Sequence, residues 1–100
     1  MPCEGNVPPL TPEAAQELYV QLNPEWHLID GAHLLSRHFV FKDFAETMSF
    51  VNKVAAIAEE EDHHPDLTVS YGGATVELMT HAIGGLSEND FILAAKIDTL

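Results

Sequence analysis

Cysteine is all but absent from this sequence. Cys3 stands alone, so no internal disulfide can form and no cysteine-rich zinc site can be assembled. Its place near the N-terminus argues against a catalytic thiol, and a chain without disulfides fits a reducing, cytoplasmic setting. Positive charge is scarce as well. Four bases, Arg37, Lys42, Lys53 and Lys96, face 16 acids, for a formal net charge of −12. That balance repels phosphate backbones and anionic lipid, so it argues against direct nucleic-acid binding and favours simple solubility. No run of about 18 apolar residues occurs, so no membrane span is expected. The opening Met1-Pro2-Cys3-Glu4 carries no basic, apolar secretory pattern. A phosphate-cradling glycine loop and a G-x-S-x-G elbow are both missing, which leaves phosphate-loop binding and nucleophilic catalysis without a candidate.

What is present reads as one globular domain of 100 residues, with 46% apolar and 20% charged side chains. A chain this short has one core and little stability to spare, so self-association would help it. Residues 1–10, with Gly5, Pro8 and Pro9, read as a flexible arm, and residues 11–100 as the domain. Thr11-Pro12 starts a helix over 12–22, which Asn23-Pro24 breaks. Strands at 26–29 and 33–41 flank an Asp30-Gly31 turn, with Leu35, Arg37, Phe39 and Phe41 on one face. Asp43-Phe44-Ala45-Glu46 resembles a capping box before a long helix. Phe44, Met48, Val51, Ala55 and Ala58 recur there at helical spacing, widened by Phe50, Val54 and Ile57. The residue before proline avoids helical geometry, so that helix must end before His64. Residues 67–71 and 74–81 read as two strands around a Gly72-Gly73 turn. Gly84-Gly85 is a flexible connection, and Ser87 caps a last helix to about residue 97 with Asp90 at its third position. The order α-β-β-α-β-β-α implies an α+β fold: a four-stranded antiparallel sheet with three helices on one face.

Three histidines gather in the second half. His63 and His64 stand at a helix-to-strand junction, and His81 at the far end of a strand. If Tyr71 and Ala74 flank the turn, Leu67 lies near Leu78, and His81 returns to the end of the sheet where His63-His64 stand. Histidine titrates near neutral pH, so such a group suits proton transfer at two points of one substrate. Asp90 opens the next helix, where it can orient one ring, and Glu59 lies one turn before His63. Each residue also has a plain structural role available: a cation at a helix end for His63 and His64, a partly buried strand histidine for His81, a capping carboxylate for Asp90, a solvated acid for Glu59. Three histidines and a carboxylate could also bind a metal. Adjacent His63 and His64 on an extended chain point to opposite sides, which makes them awkward ligands for one ion. His27, His33 and His38 sit in no motif and read as structural.

The pattern Glu59-x3-His63-His64-Pro65-x5-Tyr71-x9-His81-x8-Asp90 resembles the signature of the pterin-4a-carbinolamine dehydratases. The resemblance extends to Phe39-x-Phe41-Lys42-Asp43-Phe44, to Gly85-Leu86-Ser87-Glu88-Asn89-Asp90 and to Ala94-Ala95-Lys96-Ile97. It implies a hydro-lyase that dehydrates 4a-hydroxytetrahydropterin to quinonoid dihydropterin, recycling the cofactor of aromatic amino acid hydroxylases. It implies no cofactor and no metal. It further implies the sheet-and-three-helix fold, a pterin as the small-molecule partner, and a homodimer or homotetramer. By the same resemblance, His63 and His81 do acid–base work, His64 positions the pterin, Asp90 orients a histidine, and Glu59 and Pro65 shape the pocket. The chain departs from many members at Leu67 and at Gly72-Gly73-Ala74. Two alternatives come with the resemblance. One is a non-catalytic dimerisation cofactor, as animal members are for a homeodomain transcription factor. The other is a relative acting on another pterin, such as in molybdopterin metabolism.

Overall fold

Thr11 and Asp43 each satisfy a helix N-terminus that would otherwise leave backbone donors unpaired. In the computed structural model, which describes residues 8–30 and 33–100, Thr11 Oγ1 accepts from Ala14 N–H at 3.2 Å. Asp43 Oδ1 accepts from Glu46 N–H at 2.8 Å. The Glu46 carboxylate accepts from Lys42 N–H at 3.3 Å, one residue short of the reciprocal partner that a complete capping box would use. The elements are α1 (Pro12–Tyr19), β1 (His27–Ile29), β2 (Leu34–Val40), α2 (Phe44–Glu61), β3 (Asp66–Ser70), β4 (Gly73–Leu78), a 3₁₀ turn (His81–Ile83) and α3 (Glu88–Ile97). The four strands form one antiparallel sheet in the order β1-β2-β4-β3. The expected α+β architecture and element order hold. The arm's residues 1–7 and the glycine of the Asp30-Gly31 turn lie outside the described residues, and Asp30 itself has a φ of 51°.

Several boundaries differ from the sequence reading. The first helix stops at Tyr19, not at residue 22. Gln21 and Leu22 instead donate three residues back, to Leu18 O at 3.1 Å and Tyr19 O at 3.0 Å, a tightened last turn before Pro24. Leu10 is not loose: its N–H donates to Leu86 O at 2.9 Å. On α2 the buried positions are Thr47, Phe50, Val54 and Ala58. Phe44 and Ala55, expected in the core stripe, are exposed. The sheet runs past one side of the helix, so only the face centred on Phe50 and Val54 meets it. Phe50 stacks on Phe39 and Phe41, in and just after β2, with ring centroids 4.4 and 5.1 Å apart.

The second hairpin shifts by two residues. Ser70 pairs with Gly73 and Leu67 with Val76, so the turn is Tyr71-Gly72 rather than Gly72-Gly73. A shift of two preserves which side chains face the core, because the pleat repeats every two residues. Gly73 belongs to the strand for a steric reason. A Cβ there would lie 2.7 Å from Phe39 O and 2.9 Å from His38 Nε2, so β4 can pack against β2 only without one. Consequently β4 ends at Leu78, and His81 is no longer a strand residue. Gly84-Gly85 is likewise no slack connection. Gly84 takes a φ of 68°, Gly85 is buried, and Thr80 N–H donates to Gly85 O at 2.8 Å to close the loop.

Candidate active site

The end of α2 decides where the first two histidines stand. Asp62 adopts the left-handed conformation, with φ 51° and ψ 43°. His63 N–H then donates to Ala58 O at 3.1 Å, and Asp62 N–H to Glu59 O at 3.4 Å. These are the two bonds of a Schellman ending. The helix therefore stops at Glu61 through a left-handed aspartate, and Pro65 only bars it from resuming. The chain reverses at Asp62 and turns the His63 ring inward, where 6% of it is exposed.

His63 meets Asp90 there. Its Nε2 lies 2.5 Å from Asp90 Oδ1. Asp90 is fully buried, and a buried carboxylate is costly unless its lone pairs are filled. They are filled. Asp90 Oδ2 accepts from Ser87 N–H at 2.8 Å and from Thr80 Oγ1 at 2.9 Å, with Ser87 Oγ at 3.4 Å. The capping role and the histidine-orienting role thus coexist, one oxygen for each. Ser87 N–H and the Thr80 hydroxyl on one oxygen favour the ionised carboxylate. Facing that form, His63 Nε2 is the donor and Nδ1 the ring's basic nitrogen.

The other named residues surround this corner at the surface. His64 is exposed where His63 is buried, and its Nε2 lies 2.5 Å from Glu59 Oε2. Both are solvent-exposed. His81 sits on the 3₁₀ turn, not in β4, and is exposed. Its Nε2 lies 3.5 Å from Asp66 Oδ2. Asp66 opens β3 directly after Pro65, so His81 does return to the end of the sheet that holds His63 and His64. It arrives by a closed turn instead of by the hairpin register. Pro65 is half-buried between the two groups. Among the described residues, no three histidine, cysteine, aspartate or glutamate side chains converge on a possible metal position. Two surface clefts, of about 360 Å³ beside Tyr19 and His27 and about 250 Å³ beside Phe50 and Lys53, contain none of these residues.

Sequence reasoning passed over Thr80 and Asp66. Thr80 is adjacent to His81 and Asp66 to Pro65, but neither carries a spacing signal of its own. His38, read as structural, pairs through Nδ1 with Thr75 Oγ1 at 2.8 Å on the outer face of the sheet.

An α+β domain that buries a carboxylate–imidazole pair at one end of its sheet, flanked by two exposed histidines, has the make-up of an acid–base enzyme. The comparisons make the assignment specific. Residues 8–100 match the family model described as pterin 4 alpha carbinolamine dehydratase, and the chain belongs to that family. A relative from Nitrosomonas europaea is 57% identical over 99 residues, covering 99% of this chain and 86% of its own length. One from Halorhodospira halophila is 50% identical over 100 residues, covering 100% and 91%. Both bear pterin-4-alpha-carbinolamine dehydratase as a provisional name. A crystal structure of a transcriptional coactivator/pterin dehydratase from Brucella melitensis superposes with a TM-score of 0.83 at 34% identity, covering 91% of this chain and 96% of that one. A pterin dehydratase-like RuBisCO assembly factor of the alpha-carboxysome superposes at 0.57, with 25% identity over 66% of this chain and 76% of that one.

Proposed function

We propose that this chain is a hydro-lyase that removes water from a 4a-hydroxytetrahydropterin and releases quinonoid dihydropterin, so that the tetrahydropterin of an aromatic amino acid hydroxylase can be recycled. The observation that carries this reading is the buried His63–Asp90 pair, with His64 and His81 at the same end of the sheet. In the reaction the C4a–O bond breaks and its hydroxyl leaves as water after gaining a proton. N5 loses a proton, and its electrons form the N5–C4a double bond. One group must give a proton and another take one. His63 and His81 do this work. His63 is held in a fixed tautomer by Asp90, and His81 exchanges protons with solvent from its exposed turn. His64, Glu59 and Pro65 line the approach and position the pterin.

The chemistry needs no cofactor and no metal beyond the pterin substrate. The working form is a cytoplasmic homodimer or homotetramer. Purified protein should speed the decay of 4a-hydroxytetrahydropterin, followed by absorbance, and should do so equally in excess EDTA. Acid–base assistance is worth about 10²–10⁴ in rate, so His63→Ala and His81→Ala should each lose at least tenfold in kcat while the circular dichroism stays unchanged. Wild-type rates in both variants, or no acceleration by the parent at micromolar concentration, would remove the proposal. Light scattering should return a multiple of the 11.0 kDa chain mass.

A further inference from the structure

One buried hydroxyl at this corner has no part in the chemistry proposed for the histidines. Thr80 is 2% exposed. Its Oγ1 donates to Asp90 Oδ2 at 2.9 Å and lies 2.8 Å from Ser87 Oγ, which can donate to it in turn. Its main chain is as fully engaged as its side chain. The N–H donates to Gly85 O at 2.8 Å, and the carbonyl accepts from Ile83 and Gly84 N–H, both at 3.1 Å. Those bonds close the turn that carries His81. Valine would fill the same volume at a strand end with better β-propensity, so packing alone does not call for a hydroxyl here.

We infer that Thr80 is a positioning residue: its hydroxyl keeps Asp90 an acceptor, so that His63 holds its proton on Nε2, and its backbone sets the turn bearing His81. One residue thereby couples the two histidines that the proposed dehydration requires, and the inference rests on that reading only for its catalytic consequence. A donor to the ionised form of a carboxylate lowers its proton affinity. Without the Thr80 hydroxyl, Oδ2 keeps Ser87 N–H and one long hydroxyl contact, so the proton between His63 Nε2 and Asp90 Oδ1 is no longer held firmly on the ring. The other titratable groups around the corner are paired at the surface: Glu59 with His64, Asp66 with His81, and Glu61 with Lys96. Asp62, beside His63, and Glu88, on the first turn of α3, are exposed. Solvent screens all of these from the buried pair.

The test compares Thr80→Val with Thr80→Ser in the full chain. Nitrogen-15 histidine spectra read the tautomer of the His63 ring without any substrate, and steady-state kinetics read catalysis. In Thr80→Val the His63 ring-nitrogen shifts should move away from the pattern of a ring protonated at Nε2. The kcat should fall about tenfold with KM nearly unchanged. Thr80→Ser should restore both. His63 nitrogen shifts in Thr80→Val that overlay the parent's, whatever happens to the melting temperature, would reduce Thr80 to a structural residue and overturn the inference. So would a Thr80→Ser variant that behaves like valine. Because the histidine spectra need no turnover, a parent protein inactive on pterins would sink the dehydratase reading while leaving Thr80 testable.

Discussion

Asp90 has two carboxylate oxygens with different tasks, and that division makes its substitution informative. In Asp90→Asn, the side-chain NH₂ cannot face Ser87 N–H and the Thr80 hydroxyl, which are donors. It must take the Oδ1 position and donate to His63 Nε2. The imidazole then has to accept there and carry its proton on Nδ1, the wrong tautomer for a base at that nitrogen. Asp90→Asn should therefore fold, with a melting temperature within a few degrees of the parent, and lose about 10²-fold or more in kcat. A nearly active Asp90→Asn would show that the tautomer of His63 does not matter. At this scale the sequence was legible in part. His63, His64, His81, Asp90, Glu59 and Pro65 could be singled out from spacing together with the family resemblance. Burial of His63 and exposure of His64 and His81 could not be, because burial depends on what packs above each ring.

Elements are decided by backbone conformation at single positions. The left-handed Asp62 ends α2, and a non-glycine residue there is strained relative to glycine. Asp62→Gly should raise stability by about 0.5–1 kcal/mol in urea unfolding, whereas Asp62→Val should lower it. Gly73 is the opposite case. The backbone carbonyl of Phe39 would stand 2.7 Å from a Cβ at this position, and a strand backbone cannot step aside. Gly73→Ala should cost about 1–3 kcal/mol, as overpacking does. An Asp62→Gly variant less stable than the parent would contradict the Schellman account, and a neutral Gly73→Ala would contradict the close approach of β2 and β4. Proline and glycine are visible in a sequence, but their effect here was not read correctly from it. Pro65 resembled the residue that ends α2, although a left-handed aspartate three residues earlier does so. Gly72-Gly73 resembled a turn, although the second glycine is needed in the strand.

For the whole molecule, α3 is the part that holds the rest together. At its C-terminal cap, Asp98 Oδ1 accepts from Trp26 Nε1 at 2.7 Å and from Arg37 at 2.8 Å. Asp98 Oδ2 accepts from Asn23 N–H at 3.2 Å. One carboxylate thus ties α3 to β2, to the buried Trp26 and to the segment after α1, so Asp98→Ala should cost about 2–4 kcal/mol in chemical unfolding. Two residues earlier on α3, Lys96 meets Glu61 at 2.5 Å and fixes the helix to the end of α2. The hydrogen bond from Lys96 holds the Glu61 carboxyl below its ordinary 4.5. A depressed carboxylate adds stability that is present above its unfolded value and is lost as pH falls through the folded one. Lys96→Met should therefore lower the melting temperature at pH 7, and the gap should narrow as pH falls below 4.5 and through the lowered carboxyl value. A gap that persists in acid would mean the lysine acts by packing alone.

The sequence by itself determined the element order, the α+β class and the residues of the family signature. Those follow from periodicity, capping residues and fixed spacing, all local properties of the chain. The tertiary structure alone decided that Gly73 belongs to the strand and not to the turn, and that Thr80 and His63 converge on the carboxylate that Ser87 caps. Both depend on contacts between separate segments. The close approach of β2 and β4 leaves no room for a Cβ at Gly73, and the need to fill the lone pairs of a buried Asp90 draws Thr80 and His63 to one point.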